Sequence, residues 1–310
     1  MILPASYVAM FKDIEQDFDW ALHHPETQTD GTKFWRDVVF AAPAGFRPLM
    51  MEVTTPKGPG PHPLVIFIHG GAWMTGGPTI STPIYREHDL FGRLHAAGYA
   101  VARISYRFSQ EAQFPAQLHD CKAAIRYLRA HAAIFNVDQS RFAVMGDSAG
   151  GHLACLVGLT VNRPDLEGDV GLKEGSSAVS AIVNWFAPID FLTMSDQRLD
   201  KSWSSADDPS SPESRLIGGS PKLNVEKAKA ASPLTYVHKD ALAMLIQHGD
   251  KDRLVPFAQA EQLYAAMKTA GNDVTLTKVK GADHCFWGVD GTPIVTETIA
   301  FFNRTIGNAA

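Results

Sequence analysis

Short runs of apolar residues alternate with amphipathic stretches along most of the chain. Six such runs are predicted to be strands: residues 64–68, 100–105, 141–145, 178–185, 242–247 and 274–279. The run at 64–68 is wholly apolar and is bounded by proline and glycine, a pattern typical of a strand buried on both faces of a parallel sheet.

Helices are predicted between these strands, at residues 83–97, 118–135, 149–158, 257–270 and 293–302. In 118–135, apolar residues recur at three- and four-residue steps, and the basic residues fall on other faces. Strands that alternate with helices in this way form a right-handed, mostly parallel sheet flanked by helices, which is an α/β fold.

Two regions break the alternation. We predict that residues 1–35 form a cap segment of one or two short amphipathic helices and a loop, followed by strands at 36–40 and 49–54. Residues 191–235 also break it, because their stretch 202–214 is polar, carries prolines and is too long for a tight connection. We predict that 191–235 are a lid insertion, with a solvated loop as the alternative.

Shorter features complete this organisation. The cap segment carries aromatic anchors: Tyr7, Phe11, Phe18, Trp20, Phe34 and Trp35. Residues 57–63 are rich in proline and glycine and are predicted to be a surface loop. No internal repeat and no second α/β pattern is present, so a single domain over residues 1–310 is expected.

Composition narrows the function classes. The chain has 310 residues, of which 45% are hydrophobic and 20% charged, and its formal net charge is −5. This balance supports a sizeable core, and with acidic and basic residues interspersed it argues against binding of nucleic acid or of a membrane surface. The sequence leaves the oligomeric state open, a homo-oligomer included.

The cysteines and the N-terminus predict a compartment. Cys121, Cys155 and Cys285 are widely separated, which favours free thiols in a reducing environment. The first residues lack a basic start and a long apolar core, and no stretch is long and apolar enough to span a bilayer. A cytoplasmic protein is therefore expected.

The sequence Gly146-Asp147-Ser148-Ala149-Gly150 lies between a predicted strand and a predicted helix. This is a G-x-S-x-G motif in the context that makes the serine a nucleophile, because small residues permit the strained turn that lifts its hydroxyl above the sheet. The alternative is a structural turn with a capping serine. Ala149 would begin a helix whose free N–H groups point to where an oxyanion would form.

Three other chemically equipped segments follow predicted strands: His69-Gly70-Gly71, His248 to Asp252, and Ala282 to His284. Ligands bind at the carboxyl ends of the strands in an open parallel sheet, so we expect these segments to meet Ser148 there. Together they supply backbone donors, a nucleophile, a carboxylate and an imidazole, in the chain order of an α/β-hydrolase. His284 would be the general base.

The acid of this constellation has more than one candidate. Asp252 is favoured over Asp250, which comes directly off the strand turn, and Asp190 is third. Of the remaining histidines, His152 is expected to pack under the serine turn, and His69 to brace its own loop.

No metal or nucleotide cofactor is expected. The sequence has no H-E-x-x-H motif, no cluster of cysteine and histidine at ligand spacing, no G-x-G-x-x-G after a strand and no Walker loop.

A series of motifs resembles the bacterial carboxylesterases related to hormone-sensitive lipase, and most of all the feruloyl or acetylxylan esterase-like group. These motifs lie at residues 69–73 (HGGAW), 105–107 (SYR), 114–126, 146–153 (GDSAGGHL), 211–219 (SPESRLIGG), 231–236 and 248–256 (HGDKDRLVP). The resemblance implies an α/β-hydrolase fold over roughly residues 36–305.

The resemblance also implies a triad of Ser148, Asp252 and His284. It implies oxyanion donors at Gly71, Ala72 and Ala149, with Gly70 as an alternate. The sequence departs from the commoner H-G-G-G pattern at Ala72 and Trp73, where an indole would narrow the acyl side and favour short acyl groups. Cys285, where relatives often have glycine, would crowd the base.

We therefore expect a serine carboxylesterase that hydrolyses short-chain or aromatic acyl esters, small molecules, through an acyl-enzyme. Aromatic residues beside the catalytic loops are the candidate substrate-binding walls, with core packing as the alternative role: Trp73, Trp185, Phe186, Phe286 and Trp287. The rival functions are an arylformamidase-type amidohydrolase and a non-catalytic binding protein on a hydrolase scaffold.

Overall fold

The computed structural model describes residues 20–79, 82–161, 163–198 and 205–307. The predicted anchors Tyr7, Phe11 and Phe18 lie outside these residues. Within the described chain, nine strands form one sheet: β1 (Glu26–Thr27), β2 (Lys33–Ala41), β3 (Leu49–Thr55), β4 (His62–Ile68), β5 (Ala100–Ile104), β6 (Val137–Asp147), β7 (Ala181–Trp185), β8 (Ala243–Gly249) and β9 (Val274–Val279).

The strands are ordered β1-β2-β3-β5-β4-β6-β7-β8-β9. Strands β1, β2, β3 and β5 pair antiparallel in that sequence, and all pairs from β5 across to β9 are parallel. Strand order reverses at β4, which lies between β5 and β6. The carboxyl ends of β4, β6 and β8 therefore meet at one edge of the sheet, where ligands bind in such folds.

Helices cover both faces. They are α1 (Trp20–His23), α2 (Pro83–Glu87), α3 (Leu90–Ala96), α4 (Ala116–Ala130), α5 (Ala149–Leu159), α6 (Met194–Gln197), α7 (Pro212–Ile217), α8 (Val225–Ala231), α9 (Phe257–Thr269) and α10 (Thr292–Thr305). Apolar residues of α4, α5 and α9 pack on one face of the sheet, and those of α3 and α10 on the other.

Strand β4 shows why the apolar runs are continuous. Leu64, Ile66 and Ile68 point into the core cluster under α4 and α5, while Val65 and Phe67 point into the opposite cluster. Both faces are covered, so every position from Leu64 to Ile68 is apolar. The predicted α/β architecture is confirmed.

The predicted boundaries need correction at the N-terminal side. Strand β2 begins at Lys33 and β1 precedes it, so the end of the predicted cap segment belongs to the sheet. Trp35 is part of the core and donates its indole N–H to the Leu22 carbonyl (3.1 Å). The predicted loop at 57–63 is also shorter than expected, because β4 starts at His62 and accommodates Pro63 near its first residue.

Two predicted helices end earlier or break. The segment 83–97 is divided into α2 and α3 because Asp89, the N-cap of α3, adopts a left-handed conformation with φ 43°. Helix α4 ends at Ala130, whereas Ala132 and Phe135 are buried beyond its end. Their helical spacing reflected burial in a turn that follows the helix.

Candidate active site

Ser148 lies at the tight turn between β6 and α5. Its backbone has φ 52° and ψ −119°, a strained conformation for a residue with a side chain. The turn is held by the Ser148 N–H, which donates to the Trp185 carbonyl (2.9 Å), and by the His152 N–H, which donates to the Ser148 carbonyl (2.9 Å).

The two glycines of the motif are required by close backbone contacts. A Cβ at Gly150 would lie 1.9 Å from the carbonyl oxygen of Ile68, and one at Gly146 would lie 2.4 Å from the backbone of Gly150. The backbones of β4, β6 and α5 therefore approach each other more closely than any side chain permits.

Ser148, His284 and Asp252 form one hydrogen-bonded line. His284 Nε2 is 3.1 Å from Ser148 Oγ, and His284 Nδ1 is 2.8 Å from Asp252 Oδ2. The carboxylate accepts from Nδ1–H, so Nε2 carries the lone pair that can accept the serine proton. Asp252 and His284 lie 104 and 136 positions after Ser148 in the sequence. The sheet brings the three residues together at the carboxyl ends of β6, β8 and β9.

Asp252 is buried and is held from several sides. Its Oδ1 accepts the N–H groups of Leu254 (2.9 Å) and Val255 (2.8 Å), and His248 Nε2 lies 3.2 Å from its Oδ2. Burial by itself would raise the pKa of Asp252, but the hydrogen bonds and charges of His248 and His284 outweigh it and hold the pKa well below its usual range. The group is thus a permanent carboxylate at neutral pH.

Asp250 has a different position. Its Oδ1 accepts the N–H of Gly281 (2.7 Å) and fixes the turn that leads to His284. The contact between His248 and Asp252 was not expected from the sequence, which placed His248 only at a strand end. The sequence shows only that His248 and Asp252 are four residues apart. The turn after β8 brings the two side chains together, and that turn is known only from the structure.

The loop after β4 supplies the candidate oxyanion donors. Ala72 and Trp73 both have left-handed backbones, with φ 56° and 57°. Within the described chain, no acceptor pairs with the N–H groups of Gly71, Ala72 or Ala149, and all three residues line the cavity beside Ser148. The alternate donor Gly70 does not fit, because its N–H already donates to Asp147 Oδ1 (2.8 Å).

The other histidines near the site are structural, as expected. His69 stacks on Tyr106 and its Nδ1 lies 2.7 Å from the Gly70 carbonyl. His152 is fully buried, and it accepts the indole N–H of Trp73 (3.2 Å) and lies 2.7 Å from the Ala231 carbonyl. Burial lowers the pKa of both imidazoles to about 4, so neither is charged at neutral pH.

A cavity of about 710 Å³ opens beside Ser148 and His284. Its walls come from the loop after β4, from Tyr85, from Leu254 and Val255, and from the insertion after β7. The insertion contributes Arg198, Pro212 and Glu213. The volume suits a small organic substrate.

Most of the predicted aromatic walls lie behind this cavity. Trp73 lines it, but Trp185, Phe186 and Phe286 are buried in the core and are absent from its lining. The Phe186 ring instead packs edge-on against the His284 imidazole with centroids 4.9 Å apart. Trp185 and Phe286 pack edge-on against each other, with ring centroids 5.4 Å apart, so these rings belong to the core and not to the cavity wall. Trp287 is 59% exposed and lines an adjoining surface groove, which shares Leu254, His284 and Cys285 with the cavity.

Two negative observations apply to the described residues. No group of three or more histidine, cysteine, aspartate or glutamate side chains there is arranged to hold a metal ion. No helix among them combines the length and the apolar character that crossing a membrane requires.

The known proteins that are similar to this chain include several described as esterases. Esterase LipC of Mycobacterium tuberculosis is 31% identical over 255 residues, which make up 78% of this chain and 58% of the relative. A truncated carbohydrate esterase from gut microbiota aligns with 87% of this chain and 95% of its own, with 32% identity and a TM-score of 0.75. Esterase 2 of Thermogutta terrifontis, phosphorylated by paraoxon, aligns with 86% of this chain and 90% of its own, with 25% identity and a TM-score of 0.64.

The chain spans between 44% and 58% of the length of three curated esterase relatives. The BD-FAE family model matches residues 51–267, which include the loop after β4, the turn at Ser148 and Asp252. The largely parallel sheet with helices on both faces is the α/β-hydrolase fold, which the similar structures share. The match to the family model shows that the chain belongs to the BD-FAE family.

Proposed function

We propose that the protein is a serine carboxylesterase that hydrolyses short-chain or aromatic acyl esters through an acyl-enzyme. The observation that carries this proposal is the continuous line from Ser148 Oγ through His284 to the buried Asp252 carboxylate. The names of its relatives agree with it, since they are described as esterases, one of them as a carbohydrate esterase.

In the first half-reaction, Ser148 Oγ attacks the ester carbonyl and its proton passes to His284 Nε2. The tetrahedral oxyanion is held by the N–H groups of Gly71, Ala72 and Ala149, each worth about 3 kcal/mol of transition-state stabilisation. The C–O bond to the alcohol then breaks, and His284 returns the proton to the departing oxygen.

In the second half-reaction, water attacks the acyl carbon and gives a proton to His284, which passes it to Ser148 Oγ as the acid leaves. Asp252 stays ionised throughout and stabilises the imidazolium in both half-reactions. Trp73 in the cavity wall favours small acyl groups.

The insertion after β7 is proposed as a lid. Residues 199–204 of the predicted segment 191–235 lie outside the described residues, but Arg198, Pro212 and Glu213 on either side line the cavity. These contacts support a role in enclosing the substrate.

The decisive experiment is hydrolysis of a p-nitrophenyl ester series from acetate to dodecanoate, together with a ferulate ester and N-formylkynurenine, by the wild type and Ser148→Ala. We expect turnover to peak at acetate or butyrate and to vanish in the variant, with its circular dichroism and melting temperature preserved.

Ester hydrolysis that survives in Ser148→Ala would contradict the proposed nucleophile. A wild type that turns over N-formylkynurenine faster than every ester would reassign the enzyme to the arylformamidases. Binding without turnover of any of these compounds would indicate a non-catalytic scaffold.

A further inference from the structure

The insertion brings two opposite charges to the wall of the catalytic cavity. Arg198 follows α6, and Glu213 lies in the first turn of α7, where Ser211 caps the helix by accepting the Ser214 N–H (3.1 Å). Both side chains are more than nine-tenths buried, with 9% and 7% of their surfaces exposed. Neither belongs to the proposed catalytic line.

This ion pair is incomplete. Arg198 Nη2 lies 3.9 Å from Glu213 Oε1, which is beyond hydrogen-bond distance, and Glu213 Oε2 has no partner among the described residues. The buried pair of Arg107 and Asp120 is different, because four hydrogen bonds of 2.7–3.1 Å satisfy both oxygens of that carboxylate.

A buried carboxylate oxygen without a donor is costly, so such a group in a native structure calls for a functional role or for a bound water or ion that completes it. Burial raises the pKa of Glu213, and the backbone N–H of Glu213, the charge of Arg198 and the Ser211 hydroxyl oppose that rise. Asp147, the other carboxylate of the cavity wall, already accepts the Gly70 N–H. Glu213 is therefore the cavity carboxylate with an open acceptor.

The charge balance selects the kind of donor. Arg198 already offsets the negative charge of Glu213, so a substrate ammonium group would add an uncompensated charge to a largely apolar cavity. A neutral hydroxyl adds none and supplies the missing hydrogen bond.

We propose that Glu213 is a specificity-determining residue that accepts a hydrogen bond from a free hydroxyl group of the substrate, so that the enzyme favours a hydroxyl-bearing ester over its methyl counterpart. This inference rests on the proposed esterase function and adds a residue that determines its substrate preference.

The test uses ester pairs in which a hydroxyl is replaced by a methyl group of similar size. One pair varies the acyl part (ethyl lactate and ethyl isobutyrate), one a short alcohol (ethylene glycol monoacetate and propyl acetate), and one a ring alcohol (cyclohexanediol monoacetate and methylcyclohexyl acetate). The quantity measured is the ratio of kcat/KM for the hydroxyl member to that for the methyl member.

We expect the wild type to favour the hydroxyl member of at least one pair by about tenfold, the value of one hydrogen bond to a charged group. In Glu213→Gln that ratio should fall several-fold, and in Glu213→Leu it should fall to about one or below. Glu226→Gln, at an exposed position of α8 outside the cavity, is the matched control and should keep the wild-type ratio.

Equal ratios in the wild type and Glu213→Gln for all three pairs would overturn the inference, and this comparison decides the matter if Glu213→Leu fails to fold. Binding of the same pairs to Ser148→Ala, with and without Glu213→Gln, is measured by calorimetry. It tests the hydroxyl preference without turnover, so a failure of the proposed hydrolysis is distinguished from a failure of this inference.

Discussion

Among single residues, the two aspartates after β8 make the sharpest contrast. Asp252 holds His284 in the tautomer that can accept the serine proton, whereas Asp250 accepts only a backbone N–H of the next turn. Both lie within three residues of the end of the same strand, and the direction of each side chain separates their roles.

We predict that Asp252→Asn lowers kcat by about 10⁴-fold, because an amide that donates to Nδ1 would stabilise the wrong histidine tautomer. Asp250→Asn keeps an oxygen that can accept the Gly281 N–H, so its kcat should stay within a few-fold of the wild type. Steady-state kinetics of both variants on p-nitrophenyl acetate would check this, and the reverse order of effects would reassign the acid.

At the scale of the elements, the activity depends on how closely β4, β6 and α5 can approach. Ser148 stands on a turn whose neighbour, Gly150, has no room for a Cβ beside the Ile68 carbonyl. Strands β4 and β6 are parallel neighbours, and any change that separates them displaces the proposed nucleophile and the candidate oxyanion donors together.

We predict that Gly150→Ala lowers kcat/KM by at least 100-fold and lowers the melting temperature, because the added methyl group must displace backbone that no rotamer change can move. Gly77→Ala, on the loop after β4, is the matched control, since an added Cβ there meets no atom within 4 Å. An active, stable Gly150→Ala enzyme would show that the turn is less constrained than its contacts indicate.

At the scale of the whole molecule, buried histidines make stability depend on pH. His69 and His152 have pKa values lowered by burial from 6.5 to about 4 in the folded protein. Between these values the unfolded chain binds protons that the folded protein cannot, so the free energy of unfolding falls as the pH falls from about 6.5 to 4. Above pH 6.5 the contribution is constant.

We predict that His152→Gln reduces this pH dependence by up to about 1.4 kcal/mol per pH unit, the contribution of one such group. Urea denaturation of both proteins at several pH values between 7 and 4 would measure it. His23→Gln, which alters an exposed histidine, is the control. Parallel pH profiles for the wild type and His152→Gln would contradict the proposed burial effect.

The sequence alone predicted the alternation of strands and helices, the α/β class and the strand-to-helix turn at Ser148. These features are local. The spacing of apolar residues in each segment indicates which of its faces are buried, and the glycines at 146 and 150 indicate a turn that side chains would obstruct. The order of the segments also predicted that Ser148, Asp252 and His284 would lie at one edge of the sheet, because parallel strands end there together.

Other features depended on contacts between distant segments, and the tertiary structure decided them. The pairing of His248 with Asp252, the engaged N–H of Gly70, and the burial of Trp185 and Phe286 behind the cavity follow from how the loops pack at the strand ends. The open carboxylate of Glu213 belongs with them. In the sequence, Glu213 lies in the first turn of an ordinary helix. The tertiary structure places this residue in the wall of the catalytic cavity and leaves one of its carboxylate oxygens without a donor.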